Sequence, residues 1–261
     1  MVIDCHTHLD EQGGIQHLHQ SMNEAGIDGS IVIAEILPDG RSNLEQVLAA
    51  VRHSDRLWAL VNCIFSSTID LSYVESLTQL LSDDRVVGLK FYLGYERYSA
   101  SDRRLYQVYE YCEQHTIPVM FHTGVLEAGS TGLLEYAHPL QVDRVATEFP
   151  RLTIVMAHMG NPWLMDCAAV LAKNPQVYAD MSGFFAENEP ITARDIEVFK
   201  QRMEQVRVFL NSYDKFLFGT DYPLYSQKEY LAAVHALEMA PDEREKVMHG
   251  NAARIFRLPT S

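Results

Sequence analysis

The 261-residue chain has no apolar run of 18 residues, so no helical membrane span is expected. Its N-terminus lacks a basic segment followed by an apolar one, and no secretory signal is expected there. Cysteines are few. Cys5, Cys63, Cys112 and Cys167 are widely spaced and form no CxxC pair, which argues against a disulfide framework and for buried thiols in a reducing cytoplasm. Basic residues are also scarce, with 21 Lys and Arg against 35 Asp and Glu, a formal net charge of −14. A protein that tracks phosphate backbones needs a basic stripe, so no nucleic-acid partner is expected and a nuclease is disfavoured. An anionic small molecule stays admissible, because one local lysine outweighs a diffuse field. No linker or low-complexity tract divides the chain, so residues 1–261 read as one domain.

What the chain does have is eight short, β-branched apolar runs: VIDCH (2–6), SIVIAEI (30–36), LWALVNCI (57–64), VVGLKFY (86–92), PVMFH (118–122), LTIVMAH (152–158), VYADMS (177–182) and FLFGTD (216–221). Successive runs start 25 to 39 residues apart, room for a strand, a helix and two loops. Helical stripes fill the gaps, such as Ile15, Leu18, Met22 and Ala25 ending at Gly26, or Leu164, Cys167, Ala168 and Leu171. The runs are continuous rather than alternating, as when both faces of a parallel sheet are covered. Eight such units predict an α/β fold, a single (β/α)8 TIM barrel, with a doubly wound open sheet as the runner-up. The tail DEREKVMHGNAARIFRL predicts two short C-terminal helices joined near Gly250 and Asn251. The longest irregular stretches, 123–138 and 183–192, follow strands five and seven and are candidate rim loops.

Several histidines finish strands. His6 and His8 end the first run, two residues apart and therefore on one face, with Thr7 turned away. His122 ends the fifth, His158 the sixth, and Asp221 takes the matching place in the eighth. Each alone has an ordinary explanation: a half-buried hydrogen-bonded imidazole, or a carboxylate capping a turn. In a barrel, however, all these ends meet at one rim. Left unpaired together, they would cost several kcal/mol. As a set they are a nitrogen and oxygen donor group suited to Zn²⁺, Mn²⁺ or Fe²⁺ rather than Ca²⁺, with space for an activated water.

Lys90, in VVGLKFY, has three open readings: a cation for a substrate carboxylate or developing charge, a carboxylated bridge between two metals, or a structural partner of Glu35 or Asp180. Glu35 and Asp180 are candidates for orienting ligand imidazoles or Lys90, and Asn62 is open. Phe184, Phe185 and Trp163 read as packing residues that a pocket could also use. His138 is a weak candidate for substrate contact. His17, His19, His53, His115, His235 and His249 read as surface or helix residues.

The segments DCHTH, GLKFY, FHTG, VMAHMGNPW, ADMSG, FGTDYP and HGNAARIF, in order from residue 4 to 256, resemble the metal-dependent amidohydrolase superfamily. The likeness is to the amidohydrolase-related branch that includes amino-carboxymuconate-semialdehyde and resorcylate decarboxylases. The resemblance implies a (β/α)8 barrel, one divalent metal ion, most often zinc, a second ion in some members, and frequent homodimers. It implies His6, His8, His122 and Asp221 as metal ligands. It gives His158 either a second metal or a part in the chemistry. Where relatives often carry a histidine just after the lysine, this chain has Phe91 and Tyr92. Two reactions on a small-molecule substrate remain open. One is hydrolysis of an amide, ester or lactone, with Asp221 as proton acceptor and the carbonyl polarised by the metal or by a protonated His158. The other is decarboxylation of an unsaturated or aromatic acid with Lys90 and His158 or Asp221 taking part. No strand-end arginine is evident to clamp a carboxylate, which favours hydrolysis. A non-catalytic scaffold is the remaining class.

Overall fold

The computed structural model describes residues 1–10, 14–37, 41–64 and 71–259. All eight runs form strands: β1 (Ile3–Thr7), β2 (Gly29–Ile33), β3 (Leu57–Asn62), β4 (Val86–Phe91), β5 (Val119–Phe121), β6 (Ile154–Met156), β7 (Val177–Asp180) and β8 (Phe216–Leu217). They pair in parallel in chain order, each with the next. The sheet closes. Cys5 N–H donates to the Phe218 carbonyl at 3.0 Å, Asp221 N–H to that of His6 at 2.8 Å, and His8 N–H to that of Tyr222 at 2.6 Å. Closure excludes the open doubly wound sheet and makes the fold a TIM barrel.

Helices lie between the strands: α1 (Gly14–Ala25), α2 (Leu44–Arg52), α3 (Leu71–Leu80), α4 (Tyr106–His115), α5 (Leu140–Glu148), α6 (Leu164–Lys173), α7 (Ala193–Leu210) and α8 (Gln227–His235). Their buried residues follow the expected stripes, Leu18 and Met22 on α1 and Leu164, Cys167, Ala168 and Leu171 on α6. Thr192 and Asp195 open α7 with reciprocal bonds between side chain and backbone. No described helix is long and apolar enough to cross a membrane. All four cysteines are buried and unpaired.

The tail forms α9 (Pro241–Glu245) and α10 (Asn251–Ile255), joined by one π-helical turn over 246–250. Ala252, Ala253, Ile255 and Phe256 pack with Ile3, Cys5, Ile31, Trp58 and Leu217 of the barrel interior. Asn251 donates to the carbonyls of Asp214 and Phe216 at 2.8 and 2.9 Å, which pins α10 beneath the entry to β8.

Backbone contact between β4 and β5 is close at Gly88, where a Cβ would lie 2.6 Å from the Pro118 carbonyl oxygen. Neither strand can retreat without breaking its ladder. Gly88→Ala is therefore expected to destabilise the fold by about 1–3 kcal/mol, read as a lower urea midpoint with unchanged slope.

Candidate active site

Ile3 and Cys5 face the barrel interior, so unbroken alternation would send His6 and His8 outward. A β-bulge in β1 between Asp4 and Thr7 prevents this: Asp4 pairs with Ser30, yet Thr7, three residues later, pairs with Val32, two later. The extra residue re-aims both imidazoles into the mouth, while the Thr7 hydroxyl donates to the Ile31 carbonyl at 2.9 Å.

The bulge is held by Asp4, a buried carboxylate that the strand pattern left without a role. It accepts from His6 N–H at 3.2 Å, Thr220 N–H at 3.1 Å, the Thr220 hydroxyl at 2.6 Å and the Gln227 amide at 2.8 Å. These bonds tie β1 to the loop carrying Asp221 and to the start of α8. Burial still pushes the Asp4 carboxyl up to about 7.

His6 Nε2 and His8 Nε2 lie 3.4 and 3.2 Å from Asp221 Oδ1, and these three groups form one set that could hold a metal ion. Asp221 has φ of +64°, a backbone conformation uncommon outside glycine and typical of functional sites. Burial disfavours its charge, but His6, His158 and His8 outweigh that and keep it ionised, well below the usual range. His8 Nδ1 is buried without a hydrogen bond, the Glu35 carboxylate standing 3.5 Å away. Burial alone would lower His8, yet Glu35 and Asp221 raise it above its ordinary value. Two imidazole nitrogens drawn onto a shared carboxylate oxygen suit a divalent cation between them.

Asp180 orders the rest. His6 Nδ1–H donates to Asp180 Oδ2 at 2.9 Å, which leaves His6 Nε2 with its lone pair. Asp180 Oδ1 accepts from the backbone of His158 and of Ser182, each at 3.0 Å, and from the Ser182 hydroxyl. Because Ser182 gives its proton to Asp180, its oxygen must accept from His158 Nδ1–H at 2.8 Å. His158 Nε2 is then the bare nitrogen. Asp180 is buried, but His6, Ser182 and His158 hold it ionised, far below the usual carboxylate range. His6, His158 and Asp180 also form a close ligand-type group, but Asp180 is already filled by donors, which makes it an orienting hub. His158 has φ of +59°, and the bare Cα of Gly183 admits its ring, since a Cβ there would lie 2.5 Å from Nδ1.

His122 belongs to the same wall, its ring 5.0 Å from that of His158 and 4.9 Å from that of Tyr95. Its Nε2–H donates to the Val125 carbonyl at 3.1 Å, leaving Nδ1 as the bare nitrogen. It stands outside the close set formed by His6, His8 and Asp221. Lys90 Nζ lies 3.4 Å from His6 Nε2 and 3.6 Å from Met120 Sδ, at the floor. No described carboxylate forms an ion pair with it, so the structure does not bring Lys90 onto Glu35 or Asp180. Burial lowers it to about 8 against the pull of Asp180 and Asp221.

The cavity above measures about 1450 Å³ and takes lining residues from both long loops, among them Glu127 and Ser130 after β5 and Phe185 and Glu187 after β7. Phe184 instead packs on Phe199 at 4.8 Å between ring centres, and His138 and Trp163 pack on each other at 4.7 Å, away from the lining. Asn62 accepts from Ser42 at 3.3 Å and likewise lies off the lining.

Histidines at the end of β1, after β5 and in the turn after β6, with an aspartate after β8, thus line one cavity at one end of the barrel. The Amidohydro_2 family of amidohydrolases matches residues 3–258. The chain belongs to that family. Its members are metal-dependent enzymes acting on small molecules. Curated proteins give no match. Among solved structures, the chain is similar to an uncharacterised TIM-barrel protein of Bordetella bronchiseptica, at 24% identity, 98% of each chain and a TM-score of 0.78. A probable 2-pyrone-4,6-dicarboxylic acid hydrolase of Acinetobacter baumannii shows 16% identity over 98% of this chain and 99% of that one, with a TM-score of 0.74. A 2,6-dihydroxybenzoate decarboxylase of Rhizobium shows 17% identity over 98% of each, with a TM-score of 0.70. At these identities the likeness is one of fold, and the amidohydrolase fold here carries both reaction types.

Since Asp180 sets the tautomers of His6 and His158, Asp180→Asn should present an amide N–H to His6 Nδ1–H and misalign both rings. The expected result is a metal affinity lower by about 10–100-fold, measured by competition with a chromophoric chelator on folded protein.

Proposed function

We propose that the chain is a metal-dependent hydrolase that adds water to the carbonyl of a small amide, ester or lactone. The observation that carries this reading is Asp221, an ionised carboxylate at the mouth whose Oδ1 lies within 3.4 Å of two imidazole nitrogens. His6 and His8 would hold a divalent ion through Nε2, with Asp221 and His122 Nδ1 completing the set and zinc the expected metal. Such an ion, when bound, polarises a carbonyl and acidifies water towards neutral pH.

The chain's own groups then divide the work. Asp221 takes a proton from the attacking water and returns it to the leaving group, as general base and then general acid. His158 does not serve as an imidazolium, because burial pushes it down to about 3 even though Asp221 opposes the shift. Its bare Nε2 instead accepts a hydrogen bond from water or ligates a second ion. Lys90 places positive charge at the floor, where the carbonyl oxygen gains negative charge. The A. baumannii relative, named as a probable hydrolase, is consistent with this chemistry.

Decarboxylation would use the same cavity to hold an acid by its carboxylate. Lys90 is its one lysine, and no arginine is among the described lining residues. Asp221→Asn should keep the fold and lower kcat on a hydrolysed substrate by about 10²–10⁴-fold. Chelator treatment should abolish turnover and added Zn²⁺ restore it, with no CO₂ released. Near-normal turnover of the variant, or stoichiometric CO₂, would overturn the assignment.

A further inference from the structure

Among the described residues, four large apolar side chains left in solvent share one concave site, while the others are spread over the rest of the surface. Ile36, Ile64, Tyr95 and Val125, between 37% and 49% exposed, all line the mouth of the catalytic cavity. They come from four different places, after β2, after β3, after β4 and after β5, so no single amphipathic element explains their gathering. Solvent-exposed apolar surface concentrated at a concave site marks where apolar ligand surface is received. Phe185, on the loop after β7, lines the same cavity.

Charge in that cavity is predominantly negative. Six carboxylates line it, against Lys90 as the one lysine and no arginine among the described residues. Lys90 is 1% exposed and lies against His6, so it serves the reacting centre and not the mouth. Glu127 and Glu187 line the cavity from the loops after β5 and β7. Burial, Asp221 and Glu127 all raise the Glu187 carboxyl above its ordinary value, as when negative groups crowd one space. A carboxylate brought into the outer cavity would meet like charge, with no arginine among the described lining residues to clamp it.

We infer that the substrate is an electroneutral carbonyl compound whose apolar body lies against Ile36, Ile64, Tyr95 and Val125, and that Glu127 and Glu187 exclude anionic analogues. The inference rests on the hydrolase reading and adds the substrate class. It separates this chain from the structural relatives above that are named for a dicarboxylic acid and a dihydroxybenzoate. The cavity, at about 1450 Å³, exceeds what a compact ring acid fills.

The test uses the zinc-loaded full chain and two δ-lactones with side chains of equal length, one ending in methyl and the other in carboxylate. Binding of the two matching cyclic ethers, which cannot be hydrolysed, is measured in parallel by calorimetry. The methyl lactone is expected to have a kcat/KM at least about tenfold higher, expressed mainly in KM, and the ethers to bind in the same order. Glu127→Gln with Glu187→Gln should narrow the ratio by lowering KM for the charged lactone. Ile64→Ser should raise KM for the methyl lactone with little change in kcat. Equal or reversed preference in the ether pair, or no binding of either ether, overturns the inference. Hydrolysis that favours the charged lactone would overturn it too, while leaving the hydrolase reading intact. Preferred binding of the methyl ether without turnover of either lactone would uphold the substrate class and overturn lactone hydrolysis.

Discussion

The seam between β8 and β1, where the buried Asp4 carboxylate joins the backbone bonds that close the barrel, is the constraint from which the rest of this end follows. Asp4 replaces ladder partners for the N–H groups of His6 and Thr220, and it anchors Gln227 at the start of α8. A buried carboxylate is tolerable only when its lone pairs are filled, and these three donors with the Thr220 hydroxyl fill them. The same bonds bulge β1, turn His6 and His8 into the mouth, and bring the Asp221 segment alongside. One side chain thus joins barrel closure to the placement of the ligand-type residues. A barrel sealed by a regular ladder would leave the histidines facing the helices.

From that seam the order spreads through hydrogen bonds whose direction is determined. Asp180 and Ser182 fix the proton positions on His6 and His158, and the Val125 carbonyl fixes that on His122. Each ring is left with one bare nitrogen, and desolvation keeps His122 and His158 neutral. Orientation is therefore set before any ion or substrate arrives, as preorganised sites require. The left-handed backbone at His158 and Asp221 shows that local conformational preference yields to this arrangement.

Much of this was legible in the sequence, for reasons that can be named. Eight continuous apolar runs at helix-plus-strand spacing reflect strands buried on both faces, a pattern few other folds generate. His122, His158 and Asp221 were visible because polar residues at the ends of such runs are conspicuous. The bulge in β1 was not, since it depends on Thr220 and Gln227, more than 200 residues away. Asp4 was hidden for the same reason: its acid character has meaning only against partners from another strand. Ser182 carried no signal beyond standing two residues after Asp180. The protonation of His158 also escaped the sequence, because burial decides it and burial is a property of the assembled rim.

On the proposed reading, chemistry falls to the strand ends and selection to the two long rim loops, where change is tolerated. Everything catalytic assigned to this protein rests on His6, His8, His122 and Asp221 sharing one ion. X-ray absorption at the zinc edge on the purified, zinc-loaded protein tests that most directly. The account predicts a stoichiometric ion with a nitrogen and oxygen shell at about 2.0–2.1 Å and imidazole scattering beyond it. A sulfur-containing shell, or an ion without imidazole ligands, would contradict it.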